Sequence, residues 1–361
     1  MADLAPATHF TPRPVFVFDN PRSRSHLFFR WISTSPKLAP IHHAFMMASL
    51  LGPDRFTLHT RASPGRKQQT QSAVAPFCGD ETHETCRTQL AQHVLNAHEK
   101  SLIPFVNEHC VLAFKHEDMF PLLRGTRDSY RHFTNSTHIP DDFFKIIKPV
   151  LVIRHPILVV DSLCRAIEQE GSKPAPAEED FEAITTLKLS RHLFDGFCSQ
   201  GRKPLVVDGD DVLWKTAAVG KAVCEYIGIN ADELSETWTP YPAHERPTAN
   251  AYAYEWTKVV WESDGIHRPA EKPEEPELEK YCAIWEASYG SEAGVALKAL
   301  VLKNMPHYEY LSQFKIGGPL QDKPMMTPSS NIGADYFSLT RGEEEEGEPW
   351  DIHRQDSCTP F

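Results

Sequence analysis

An α/β fold with a central parallel sheet flanked by helices on both faces is what this sequence predicts, and three observations carry the prediction. Short, unbroken apolar runs recur along the chain, stretches of helical character separate them, and the first run leads straight into a loop suited to holding an anion. At 361 residues the chain can bury a substantial core without staples.

The first run, Val15-Phe16-Val17-Phe18, is bounded by Pro14 and by Asp19-Asn20-Pro21. A strand covered on both faces reads as a continuous apolar run rather than an alternating one, so this is a buried parallel strand. Leu102 to Val106, Val150 to Ile153 and Leu205 to Val207 have the same character. A helix over 217–227 places Val219, Val223, Tyr226 and Ile227 on one face, with Thr216 as its cap and Gly228 as its stop. Helix is also expected over 181–197 and, interrupted near Gly290 and Pro306, over 278–314. Two acidic, proline-containing loops, 171–179 and 271–277, belong on the surface. The reading is one α/β domain over 1–318, followed by an acidic tail over 319–361 with the run Glu343 to Glu346, either solvated and partly disordered or a lid.

Composition narrows the function classes. The net charge is −12 with no lysine-arginine block, which disfavours nucleic acid and anionic membranes as partners, yet a few placed cations suffice for a small anionic ligand. The eight cysteines form no C-x-x-C pair and no zinc-like spacing with histidines, so they read as reduced thiols and no metal site is expected. The first residues lack a basic, then apolar, leader pattern, and no run approaches the roughly 18 apolar residues of a membrane span. A soluble, cytoplasmic protein is the expectation, and the sequence leaves the oligomeric state open.

After the first strand comes Asn20-Pro21-Arg22-Ser23-Arg24-Ser25-His26-Leu27, then a helix carrying Phe28, Phe29, Trp31 and Ile32. In such a strand–loop–helix, backbone N–H groups and a helix N-terminus surround an anion. Ser23 and Ser25 add hydroxyls, and Arg22 and Arg24 add guanidinium groups suited to phosphate. The loop lacks the Gly-x-x-x-x-Gly-Lys-Ser/Thr pattern of nucleotide kinases and ATPases, which argues against that class. The fold class expected is a three-layer sandwich, a central parallel sheet with helices on both faces. A second junction, Val150 to Ser162, is a buried strand ending in Arg154 and followed at once by a helix starting at Pro156. Arg154 at the strand's end and Ser162, eight positions on, are placed to converge on one anion.

These segments resemble the sulfotransferase family. Pro21-Arg22-Ser23-Arg24-Ser25-His26 is similar to that family's 5′-phosphosulfate loop, Pro-Lys/Arg-Ser-Gly-Thr-Thr, with Arg24 at the glycine position and His26 at the second threonine. Arg154 and Ser162 match the arginine and serine that hold the 3′-phosphate of the donor PAPS. Lys203 to Leu213 looks like the later strand and acidic turn, so the resemblance spans roughly residues 14–316. It implies a three-layer P-loop-like sandwich and sulfuryl transfer from PAPS, with PAP as product, to a hydroxyl of a small, largely apolar metabolite. The donor would be bound by Arg22, Ser23, Arg24, Ser25, His26, Arg154 and Ser162.

The family usually places its base at the end of a central strand, where this chain has Asn107-Glu108-His109, similar to a subgroup's Lys-Glu-His. His109 is the candidate base, because an imidazole titrates near neutral pH. Glu108 is the alternative, or the group that orients the histidine, Arg22 assists at the donor, and Asn107 replaces a lysine. His42 and His43 are expected to begin a helix that lines an acceptor pocket, and Trp261, with Tyr252, Tyr254 and Trp256, reads as pocket wall or aromatic core. His353, in the tail, has no evident partner in the sequence. Two other functions stay open at this stage: acid-base chemistry on the same scaffold without PAPS (cyclisation, elimination or isomerisation), and noncatalytic binding of a small ligand.

Overall fold

The computed structural model describes residues 12–126, 133–242, 244 and 251–323, with the backbone alone for 251–255. The expected tail beyond 323, with Glu343 to Glu346 and His353, lies outside the described residues, as do the side chains of Tyr252 and Tyr254. Five strands, β1 (Val15–Asp19), β2 (Leu38–His42), β3 (Ile103–His109), β4 (Lys148–Ile153) and β5 (Leu205–Asp208), form one sheet in the order β2-β3-β1-β4-β5. All neighbouring pairs are parallel. The helices used below are α1 (Ser25–Ile32), α2 (His83–Glu99), α3 (His116–Leu123), α4 (Pro156–Gln169), α5 (Glu179–Thr185), α6 (Lys188–Ser199), α7 (Thr216–Ile227), α8 (Ala251–Glu262), α9 (Leu278–Tyr289) and α10 (Ser291–Ser312).

Every residue of β1 is buried. Val15 and Val17 join a core with Phe28, Trp31 and Ile32 of α1 and Val219, Val223 and Ile227 of α7. Phe18 points the other way, its ring 6.0 Å from that of Phe197 on α6. Cover on both faces is the physical reason the strand reads as an unbroken apolar run. A second cluster packs Ile157, Val160 and Leu163 of α4 against Trp285 of α9 and Leu297 and Val301 of α10.

Four strands are the apolar runs of the sequence, while β2 was hidden. It is an edge strand with a proline at its centre, which a sheet tolerates only at an edge. The expected helix at His42 and His43 is corrected accordingly. His42 closes β2, and His43 turns the chain with φ 50° while its N–H bonds Asn107 O at 2.9 Å; the helical turn follows at Met47–Leu51.

The expected single helix over 181–197 is two, α5 and α6, and at the break Asn304 Oδ1 takes the Leu187 N–H at 2.8 Å. Helix α9 ends the expected way at Gly290, with φ 91°, but α10 runs straight through Pro306. Pro306 deprives the carbonyl of Leu302 of its helical partner, and Leu302 lies on the exposed face of the helix. Thr216 is the first residue of α7 rather than its cap, and its hydroxyl donates back to Val212 O at 2.7 Å. Among the described residues no helix is long and apolar enough to cross a membrane.

From central β1 the chain builds β2 and β3 on one side and β4 and β5 on the other, so the strand order reverses there. Open α/β sheets bind ligands beyond the carboxyl ends of the strands at such a point. Those ends carry Asp19, His42, His109 and Asp208, with Arg154 just past β4.

Candidate functional site

The loop from β1 to α1 is anchored by Asn20, whose Nδ2 donates to Thr186 O and whose Oδ1 accepts from Ser190 Oγ at 2.9 Å. Arg22 and Arg24 both stand in the left-handed region, at φ 69° and 64°. For a residue with a Cβ that conformation costs on the order of 1 kcal/mol, which is why a glycine is usual there. Their side-chain contacts offset the strain. Arg22 Nε donates to Ser162 Oγ at 3.0 Å, and the Arg24 guanidinium pairs with Asp210. Between them Ser23 is wholly buried, and its hydroxyl has no hydrogen-bond partner among the described residues. Ser25 is buried as the first residue of α1.

Gly209, just past β5, supports this loop from below. A Cβ built there would lie 1.9 Å from Ser23 O, so the two backbones touch. Gly209→Ala is expected to lose about 1–3 kcal/mol of stability by overpacking and to weaken binding of phosphate ligands by displacing Ser23. Thermal unfolding and a PAP titration of that variant check both effects.

Arg154 Nη1 donates to the carbonyl of Arg22 at 3.1 Å, and Nε faces Asp210 Oδ1 at 3.3 Å. Burial lowers the Arg154 pKa to about 10 against the pull of Asp210, so it stays charged at neutral pH. Arg154 and Ser162, read from the sequence as two holders of one anion, are thus joined through Arg22. Asp210 rests between Arg24 and Arg154, with its N–H bonded to Asp208 Oδ1 at 3.0 Å. Lys315 Nζ at 2.8 Å and the Tyr308 hydroxyl at 2.9 Å hold the other oxygen of Asp208.

Beside the loop lies a cluster of imidazoles that sequence spacing does not reveal. His109 Nδ1 meets Asp19 Oδ1 at 2.5 Å, and Asn107 Nδ2 donates to Asp19 Oδ2 at 2.6 Å. The carboxylate therefore fixes the His109 tautomer with its proton on Nδ1, leaving a lone pair on Nε2. Burial lowers the His109 pKa, but Asp19 and then Glu108 raise it by more, so it stands above the ordinary 6.5. A second chain runs from His26 Nε2 to His43 Nε2 at 2.8 Å and from His43 Nδ1 to Glu108 Oε1 at 2.7 Å. Burial, followed by the neighbouring His43, holds the pKa of His26 well below 6.5. His26, His43 and His109 each offer a nitrogen within 4.8 Å of the others, close enough for a cation. The observed pairings already join His26 to His43 and occupy Nδ1 of both His43 and His109.

Several side chains have partners other than those the sequence suggested. Glu108, the alternative base or orienting group, is wholly buried and orients the ring of His43 instead, accepting also from the N–H groups of Phe45 at 2.6 Å and His109 at 2.9 Å. The group that orients the His109 ring is Asp19, which sequence reasoning missed. A carboxylate as the last residue of a wholly apolar central strand was the available signal. Asn107, in place of a lysine, positions Asp19. Asp210 was also missed as a contributor to the site, and His43 was expected at an acceptor pocket rather than between His26 and Glu108.

His42, Trp261 of α8, Tyr241, Phe29, Arg30, Ser33 and Pro40 line a cavity of about 230 Å³. Trp261 is 1% exposed, so it is at once core and cavity wall. Through ring contacts with His26 at 5.0 Å and His43 at 4.1 Å, His42 joins this largely apolar cavity to the histidine cluster.

Fold and loop together define a parallel α/β protein with an arginine- and serine-rich loop after its central strand. Two curated relatives are similar to this chain, the proteins named sulfotransferase ppzF of Metarhizium rileyi (strain RCEF 4871) and of Metarhizium majus (strain ARSEF 297). Each is 28% identical over 189 residues, covering 49% of this chain and 55% of the relative. The chain thus spans about half the length of the curated relatives it matches. Two solved structures align loosely. The sulfotransferase domain of the Synechococcus PCC 7002 olefin synthase is 14% identical with a TM-score of 0.35, over 78% of this chain and 96% of that one. A sulfotransferase from Alicyclobacillus acidocaldarius is 11% identical with a TM-score of 0.39, over 82% and 99%. No protein-family model matches the chain.

Proposed function

We propose that the chain is a transferase that moves a sulfuryl group from PAPS to a hydroxyl of a small, largely apolar metabolite. The observation that carries this reading is the linkage of Arg154 to Ser162 through Arg22, which gathers cations and hydroxyls from both anion-binding motifs at the carboxyl edge of β1 and β4. The buried, unpartnered hydroxyl of Ser23 beside them is suited to an anionic ligand oxygen. Arg22, Ser23, Arg24, Ser25 and His26 would surround the 5′ end of the donor, and Arg154 and Ser162 its 3′-phosphate. PAPS, when bound, supplies an activated sulfuryl group whose leaving group is the 5′-phosphate of PAP.

On this reading His109 Nε2 accepts the acceptor's hydroxyl proton, and Asp19 stabilises the resulting imidazolium. Arg22 and the N–H groups of the loop face the charge that grows on the leaving phosphate. The cavity under His42 and Trp261 is the candidate seat for the apolar part of the acceptor.

The test is a calorimetric titration with PAP beside 5′-AMP, which lacks only the 3′-phosphate. Clear preference for PAP is expected, and equal or absent binding of the two would overturn the assignment. A second reading, acid-base chemistry without PAPS, is favoured by one observation: the Asp210 carboxylate already rests on two of the guanidiniums a donor would need. It predicts turnover of the true substrate with no PAPS present.

A further inference from the structure

A second group of histidines lies apart from the β1 loop. His83 and His116, the first residues of α2 and α3, meet His138, and a ring nitrogen of each lies within 4.8 Å of the other two. All three are buried, at 8%, 4% and 7% exposure. His83 Nε2 lies 3.0 Å from the hydroxyl of Ser49, which donates its own proton to Leu112 O at 2.7 Å. The Ser49 oxygen must therefore accept from His83 Nε2, which leaves His83 Nδ1 as a lone pair. His116 Nδ1 faces Asp54 Oδ2 at 3.7 Å, and Asp54 Oδ1 holds His59 Nε2 at 2.6 Å.

His116 Nε2 and His138 Nε2 have no hydrogen-bond partner among the described residues. A buried polar atom left unpaired costs on the order of 1–3 kcal/mol, and two such nitrogens at one spot call for a ligand that accepts lone pairs.

We propose that His83, His116 and His138 bind one divalent transition-metal ion of the zinc or cobalt type, with Ser49 orienting the ring of His83. Neutral imidazoles suit such borderline ions, and hydrogen bonds to the far ring nitrogen are how proteins fix a ligating tautomer. A cavity of about 290 Å³, lined by Asp54, His59, His116 and Arg124, gives an entry path and room for a water as a further ligand. The rings of His83 and His138 stack face to face at 3.5 Å, so an ion drawing on both must turn one ring out of the stack. The ion would tie α2 and α3 to the Met47–Leu51 turn that carries Ser49. That turn follows Phe45, whose N–H binds Glu108, so the metal would brace one wall of the histidine cluster described above.

The experiment uses the full chain, stripped with a chelator and titrated with Co²⁺. One equivalent is expected to bind, with visible absorption of a low-coordinate cobalt centre, and saturating Zn²⁺ should raise the midpoint of thermal unfolding. His116→Gln and His138→Gln should each weaken Co²⁺ binding by at least about tenfold and abolish the thermal shift, while His26→Gln retains both. Circular dichroism establishes that each variant is folded, and His83→Gln serves where one is not. Absence of Co²⁺ binding, binding unchanged in folded His116→Gln and His138→Gln, or binding lost only in His26→Gln would overturn the proposal. None of these readouts depends on sulfuryl transfer.

Discussion

Replacing His109 by glutamine is expected to lower sulfuryl transfer by about 10²- to 10⁴-fold, the contribution of a positioned general base, while PAP binding is retained. Glutamine keeps a polar side chain beside Asp19 but offers no ring nitrogen able to accept a proton in the transition state. The Asp19 contact adds a pH signature. Because the His109 pKa is raised above 6.5, His109 carries the blocking proton over a wider acid range. The acid limb of kcat/KM should therefore lie above pH 6.5, and Asp19→Asn should move it downward by removing the charge that raises the pKa. A wild-type rate in His109→Gln, or an acid limb indifferent to Asp19→Asn, would remove this pair from the chemistry.

Arg154→Ala should weaken PAP by roughly 2–5 kcal/mol, about 30- to 5,000-fold, which is the cost of truncating one partner of a buried charged contact. Affinity for 5′-AMP should fall far less. Some of the PAP loss would come from the loop, because Arg154 also holds the carbonyl of Arg22, a residue in a strained conformation. Arg154→Lys separates the contributions. A lysine keeps the charge but cannot reach the Arg22 carbonyl and Asp210 together with a planar fork. Parallel titrations of wild type, Arg154→Lys and Arg154→Ala with PAP and 5′-AMP check this, and equal losses for both ligands would dissociate Arg154 from the 3′-phosphate.

Much of this architecture is written locally. Val15 to Phe18 and Val150 to Ile153 are apolar because helices cover both faces of the sheet, so their strands and the loops after them were legible. The short edge strand β2 was not, since Pro40 breaks its apolar signal. That omission hid His43, which the end of β2 delivers beside Glu108 and His26. The site was legible where one element supplies both position and chemistry, as with Arg22 to His26 and His109. It was illegible where partners come from separate strands. Asp19 and His109 are register neighbours on β1 and β3, 90 residues apart in sequence, and no local pattern couples them. The same holds for His83, His116 and His138, whose separations of 33 and 22 residues fall outside local ligand spacings.

Asp210 changes what it means for this loop to recognise an anion. Its carboxylate is a tethered competitor, permanently present at the guanidiniums of Arg24 and Arg154. A singly charged visitor such as chloride or acetate would merely exchange one monoanion for another, at an entropic disadvantage to the tethered one. A phosphate dianion with three acceptor oxygens can engage both arginines and the Ser23 hydroxyl together. On the proposed reading the loop would have a threshold, set by valence and by the number of acceptor atoms, below which an anion leaves Asp210 on its two arginines.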